Sequence, residues 1–199
     1  MDFEEMSADE IDAAKRAIAK MQLPITKIPT RRYQVSTRQA RVDMRGTLRA
    51  ALRSGANSIP LKYRKRRSGP PPIVILCDIS GSMSRYTRMF LHFMHAVTND
   101  RDRVHTFLFG TRLTNVTRYL RNKDIDLAVE QVTGAVEDWS GGTRIGESLS
   151  DFNRLWSRRV LGQGAVVILI SDGLDRDAGR GLHTEIERLH KSCRRLIWL

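Results

Sequence analysis

Two cysteines in 199 residues, Cys77 and Cys193, are too few for a disulfide framework, and each lies beside or within an apolar run, where a buried thiol is the simpler reading. Long apolar runs are missing too. No stretch approaches the roughly 20 residues needed to cross a bilayer, and the opening Met1-Asp2-Phe3-Glu4-Glu5 is acidic where an export signal is basic. A cytoplasmic protein is the expectation. No GxxxxGK[ST] or GxSxG occurs, Gly162-Gln163-Gly164 precedes a strand-like run instead of following it, and Asp78-Ile79-Ser80 lacks the second acid of a phosphoryl-accepting aspartate motif. Nucleotide pockets and activated serines have no basis in the sequence.

Acids are nearly absent from residues 31–67, where Asp43 alone stands against twelve Lys and Arg, so this stretch carries +11 of the chain's +12. Asp43 can cap a helix near 43–54 in which Met44, Leu48 and Leu52 repeat every four residues, and Arg41, Arg45, Arg49 and Arg53 share that spacing. A half-docked helix with an arginine stripe is expected. Together with Arg64, Arg66 and Arg67 from a basic strand or linker over 58–69, the stripe forms a candidate partner-binding surface. Four readings are open for it: a solvated face, a nucleic-acid backbone, an anionic membrane, or an acidic patch on a protein. Aromatics make up only 7% of the chain, with Tyr33 and Tyr63 nearby, and no nucleic-acid motif accompanies the stripe. Nucleic acid therefore ranks behind a protein.

Upstream, Ser7-Ala8-Asp9-Glu10 reads as a capping box for a small docking helix near 7–22, with Ile11, Ala14, Ile18 and Met21 on one side. Ser68-Gly69-Pro70-Pro71-Pro72 is a linker, which divides an N-terminal extension (1–69) from a second domain (70–199). That domain alternates strand-like and helix-like patterns. Ile73 to Cys77, Val104 to Phe109, Ala165 to Ile170 and Arg194 to Leu199 read as strands, with an edge strand near Val116 to Leu120. Helical patterns through Met89 to Val97, Leu127 to Val132, Ile145 to Trp156 and Leu182 to Leu189 separate them, so a parallel sheet wrapped by helices is expected.

Asp78-Ile79-Ser80-Gly81-Ser82 emerges directly from the first of these strands, and Ser171-Asp172-Gly173 from a later one. Parallel strands that end in acids face one crevice. Ser140-Gly141-Gly142-Thr143 precedes a helical pattern and brings a further hydroxyl to a helix N-terminus. Oxygen donors alone favour a hard cation such as Mg²⁺. The bland alternative is that Ser80, Ser82 and Thr143 are turn and cap residues without an ion. His92 with His95, and His183 with His190, are spaced for one helix face, but a lone histidine pair is more often surface or core edge than a metal site. Trp139 reads as a loop anchor under Thr143.

These segments resemble the metal-ion-dependent adhesion site of von Willebrand factor type A (VWA) domains, and their wording is similar to the CoxE-like branch: Leu76-Cys77-Asp78-Ile79-Ser80-Gly81-Ser82-Met83, Trp139 to Gly146, and Ile170-Ser171-Asp172-Gly173. The resemblance implies a Rossmann-like, doubly wound α/β fold, with Ser80, Ser82 and Thr143 as hydroxyl ligands of Mg²⁺, or of Mn²⁺, and Asp78 and Asp172 coordinating directly or through water. It leaves one coordination position for a partner's carboxylate. It further implies a non-enzymatic adaptor for a MoxR-type AAA+ ATPase in the maturation of a metalloenzyme such as carbon monoxide dehydrogenase. Related domains continue past the last strand with a turn and helix that this sequence does not show. Two rival functions remain: a nucleic-acid binder through residues 31–67, and a Mg²⁺-dependent phosphoesterase using Asp78.

Overall fold

The computed structural model describes residues 25–55, 58–136, 139, 142–176 and 181–199, leaving out the side chains of residues 82 and 84–88. The helix expected near 7–22 lies outside these residues, as do Ser140 and Gly141. The described chain divides into two compact units at Pro70 and Pro71.

The first unit pairs β1 (Ile28–Ser36) and the two-residue β2 (Arg41–Val42) antiparallel to β3 (Tyr63–Gly69), in the order β1-β3-β2. Helix α1 (Met44–Arg53) starts where the Asp43 carboxylate accepts the Gly46 amide at 3.2 Å, a side-chain N-cap. Its docking differs from the expected one. Thr47 and Ala51 are the buried residues of α1, and the Thr47 hydroxyl accepts the Lys62 amide at 2.9 Å. Met44, Leu48 and Leu52 are instead 72%, 63% and 69% exposed. Small side chains let the helix backbone approach the 58–62 segment closely, which turns the larger aliphatics out to the flank.

In the second unit, β4 (Ile73–Asp78) is buried along its whole length, the pattern of a central strand covered on both faces. Next come a 3-10 turn (Gly81–Met83), α2 (Ser84–Asp100) and β5 (Val104–Phe109). The edge strand expected at Val116 to Leu120 is displaced. Strand β6 covers Leu113–Asn115, and Thr117–Leu120 forms the short helix α3. Val116 and Leu120, both 0% exposed, are spaced one helical turn apart, and the Asn115 side chain accepts the Thr117 amide at 3.0 Å. One helical turn buries both residues on one side, which an extended segment with four-residue spacing also does, but the Asn115 bond selects the turn.

Helices α4 (Ile125–Ala135), α5 (Ile145–Leu155) and α6 (Ser157–Val160) precede β7 (Val166–Ile170), and α7 (Leu182–Ser192) leads to β8 (Arg195–Trp198). The strand order β6-β5-β4-β7-β8 is parallel except for the β5/β6 pair. Beyond β4 the chain turns to one side for β5 and returns on the other for β7, so the topological switch point lies between β4 and β7. One sheet face packs Val74, Leu76, Phe107 and Phe109 against Ile145, Leu149 and Phe152 of α5 and Leu189 of α7. The result is a doubly wound, mostly parallel α/β sheet. Among the described residues no helix is long and apolar enough to cross a membrane.

Candidate metal centre

Asp78 ends β4 at the switch point with 0% exposure. Its Oδ1 accepts the Ser80 amide at 2.8 Å and the Thr143 hydroxyl at 3.2 Å, and its Oδ2 accepts the Ser171 hydroxyl at 2.9 Å. Burial pushes its carboxyl above the usual carboxylate range; the Ser80 backbone amide and the hydroxyls of Ser171, Ser80 and Thr143 oppose that shift. These donors are all neutral. A buried anion held by neutral dipoles at a strand end is an environment that a cation completes.

Three loops deliver these groups, and backbone bonds lock them together. Ile79 N donates to the Phe109 carbonyl at 3.0 Å, and Arg144 N to that of Gly110 at 3.1 Å. From the β7 loop, Arg176 N donates to the Thr143 carbonyl at 3.0 Å, while Asp175 Oδ1 accepts the amide of Ile145, the first residue of α5, at 3.3 Å. A carboxylate at that helix N-terminus is favoured by the helix dipole. The Arg176 side chain lies over Gly142, where a Cβ would come within 2.8 Å of its guanidinium.

Of the residues expected from sequence, Asp78, Ser80 and Thr143 meet in the buried cluster. Ser82 lies in the 3-10 turn, its side chain outside the described set. Asp172 is exposed at the crevice mouth, with its Oδ1 accepting the Leu174 amide at 3.0 Å. Sequence reasoning missed Ser171 and Asp175. No local signal marks Ser171: the β4/β7 register, from Ile73↔Val166 to Cys77↔Ile170, brings it beside Asp78, and that register is set by the fold. Trp139 donates its indole N–H to the Thr133 carbonyl at 3.0 Å, which anchors the loop on α4.

Gly173 bends the loop behind Asp172 with φ +77°. A Cβ there meets nothing nearer than Trp198 at 3.9 Å, so the cost of Gly173→Ala is backbone strain alone. Chemical denaturation should read a loss of about 1–2 kcal/mol.

The donors are oxygens only: a carboxylate, hydroxyls, and a second carboxylate at the mouth, a set suited to a hard divalent ion. Among the described residues no cluster of three His, Cys, Asp or Glu side chains forms. His95 is engaged elsewhere, its Nε2 2.8 Å from the Asn122 carbonyl. Burial holds the Cys77 thiol well above its ordinary pKa, which keeps it protonated.

A family model described as "VWA domain containing CoxE-like protein" matches residues 14–199. The chain belongs to that family. Solved structures similar to it include proximal thread matrix protein 1 from the mussel byssus, at 18% identity over 64% of this chain and 36% of that one, with a TM-score of 0.46. The same mussel protein with a zinc-occupied MIDAS motif matches at 17% identity over 64% of this chain and 37% of that one (TM-score 0.43). An aerotolerance-related membrane protein from Bacteroides fragilis matches at 16% identity over 59% and 62% of the two chains (TM-score 0.38). The aligned part spans little more than a third of the mussel protein. A comparison with curated proteins finds no match.

In the first unit of this CoxE-like chain, Arg41, Arg45, Arg49, Arg53, Arg66 and Arg67 are exposed. Arg64 is held inward, its guanidinium 4.8 Å from the Tyr33 ring centre and 4.0 Å from Asp43. Arg41 donates to the Tyr33 hydroxyl at 3.1 Å, and bonds from Arg66 and then Arg41 lower the phenol's pKa.

Proposed function

We propose that this VWA protein is a Mg²⁺-dependent, non-enzymatic protein-interaction module of the cytoplasm. The observation that carries this reading is the buried Asp78 carboxylate at the switch point, surrounded by hydroxyls and paired with no cation among the described residues. Ser80, Ser82 and Thr143 hold the ion, and Asp78 and Asp172 contact it directly or through water. The ion, Mg²⁺ or Mn²⁺, supplies an electrophilic position for an incoming carboxylate, a contact stronger than a neutral hydrogen bond. Asp78 orients the hydroxyls of Thr143 and Ser171. The β7 loop keeps Thr143 in place through its carbonyl.

Both oxygens of Asp78 accept hydrogen bonds inside the protein, which disfavours it as the nucleophile of a phosphoesterase. The partner proposed is a MoxR-type AAA+ ATPase, or its client, in the maturation of a metalloenzyme such as carbon monoxide dehydrogenase. The basic first unit meets a second acidic surface, so that two contacts act together. Capture of the ATPase in Mg²⁺ should fall at least tenfold with Asp78→Ala or with EDTA. Undiminished capture under both conditions rejects metal-dependent docking, and phosphoester turnover abolished by Asp172→Ala makes the protein an enzyme.

A further inference from the structure

Residues 25–70 carry thirteen Lys and Arg against Asp43, a net +12 within one compact unit. On α1 this charge sits beside an aliphatic ridge that the unit leaves uncovered: Met44, Leu48 and Leu52, each more than 60% exposed. The segment passing under α1 adds Ile59 at 70% and Leu61 at 54%. Isolated exposed leucines are ordinary, but aliphatics in line along one helix form a face.

The burial pattern orients that face. With the docked side of α1 defined by Thr47 and Ala51, rotation of about 100° per residue puts Leu48 about 80° from it, and Arg49 about 180° from it. Arg45, Arg49 and Arg53 thus form the crest of the helix, and Met44, Leu48 and Leu52 its flank. The crest arginines are exposed, and the unit's one acid faces Arg64.

An occupant must be anionic and must also bury aliphatic side chains below the crest. A phosphate backbone pairs with guanidinium groups but offers Leu48 nothing apolar. A flat lipid surface meets the crest first and leaves the flank ridge a helix radius away. A rod lying alongside α1 reaches both. Side chains spaced by four form the ridge that interdigitates with a second helix, and helix-in-groove recognition reads such anchors.

We infer that α1 is a docking face for an acidic amphipathic helix of a protein partner, which lays Leu-type side chains against Met44, Leu48 and Leu52 and carboxylates against Arg45, Arg49 and Arg53. The inference deepens the interaction-module reading by naming the chemistry of the second contact, and it does not involve the metal.

The test uses the full chain and a labelled model helix of Glu and Leu with Leu at i, i+4 spacing. Controls are a composition-matched scramble, polyglutamate, phosphatidylglycerol vesicles and duplex DNA. The patterned helix should bind at least tenfold more tightly than the scramble or polyglutamate. Leu48→Ser and Arg49→Glu, both at exposed positions, should each weaken it about tenfold, with circular dichroism unchanged. Asp78→Ala should leave it intact, so that loss of the metal site and loss of the helix face are read separately. Equal binding of the scramble, binding insensitive to Leu48→Ser, or Leu48-dependent binding to vesicles or DNA in place of the helix overturns the inference. So does a Leu48-dependent dimer in sedimentation, which makes a second copy the occupant, or a full chain that fails to bind the helix.

Discussion

Asp78→Asn should raise the melting temperature of the metal-free protein and abolish its response to Mg²⁺. Both halves follow from one carboxylate with 0% exposure whose hydrogen bonds come from Ser80, Thr143 and Ser171, none of them charged. Burying an anion without a counter-charge opposes folding. Asparagine keeps an acceptor for Ser80 N and Thr143 Oγ1, and its amide can donate to Ser171, whose hydroxyl simply rotates. The neutral side chain should gain on the order of 1 kcal/mol, or about 2–4 °C in a chain of this size. In the native protein, saturation at a hundred times Kd stabilises by about 2.7 kcal/mol, a rise of about 5–10 °C. Differential scanning fluorimetry with Mg²⁺, Mn²⁺ and EDTA reads both effects. A native protein indifferent to either ion, or an Asn variant that still responds, rejects Asp78 as the centre of the site.

The sequence made this carboxylate visible because a continuous apolar run has one physical use in a soluble α/β chain, a strand covered on both faces, and Asp78 ends such a run. The same logic located Asp172. What it missed was lateral position. Strand order is set by which edges pair, and no local pattern in Ala165 to Ile170 states that β7 lies beside β4 in zero-offset register. Ser171 was passed over for the more acidic Asp172, although its hydroxyl is the group that reaches Asp78. Asp175 lay beyond the motif, and its work as a cap for α5 depends on how the loop turns at Gly173.

On α1 (Met44–Arg53), the docked face is not the one that periodicity suggested. A four-residue repeat of Met and Leu marks a ridge, but burial went to Thr47 and Ala51, where a hydroxyl could pair with Lys62 N and a methyl left room for close approach. Apolar spacing alone cannot separate a ridge kept for the fold from one kept for a partner.

Phe107→Ala should cost about 3–5 kcal/mol. Phe107 is 0% exposed on β5, pairs with Leu76 of β4, and meets the rings of Phe152 at 5.3 Å and Trp156 at 5.2 Å edge-on. Removing it opens a cavity between the sheet and α5 that rigid neighbours cannot fill. Urea unfolding followed by tryptophan fluorescence measures the loss, and a change under about 1 kcal/mol would mean that the site collapses around the gap. The milder Phe152→Leu asks what holds Thr143. Helix α5 begins two residues after Thr143, so if packing of α5 fixes the hydroxyl, Phe152→Leu weakens Mg²⁺ binding although it touches no ligand. If the bonds from Arg176 N, Arg144 N and Asp175 dominate, affinity stays within about twofold while stability falls. The second outcome is expected, because those bonds join the 142–145 loop directly to its neighbours, whereas a leucine at 152 removes ring contacts about two turns further along the helix.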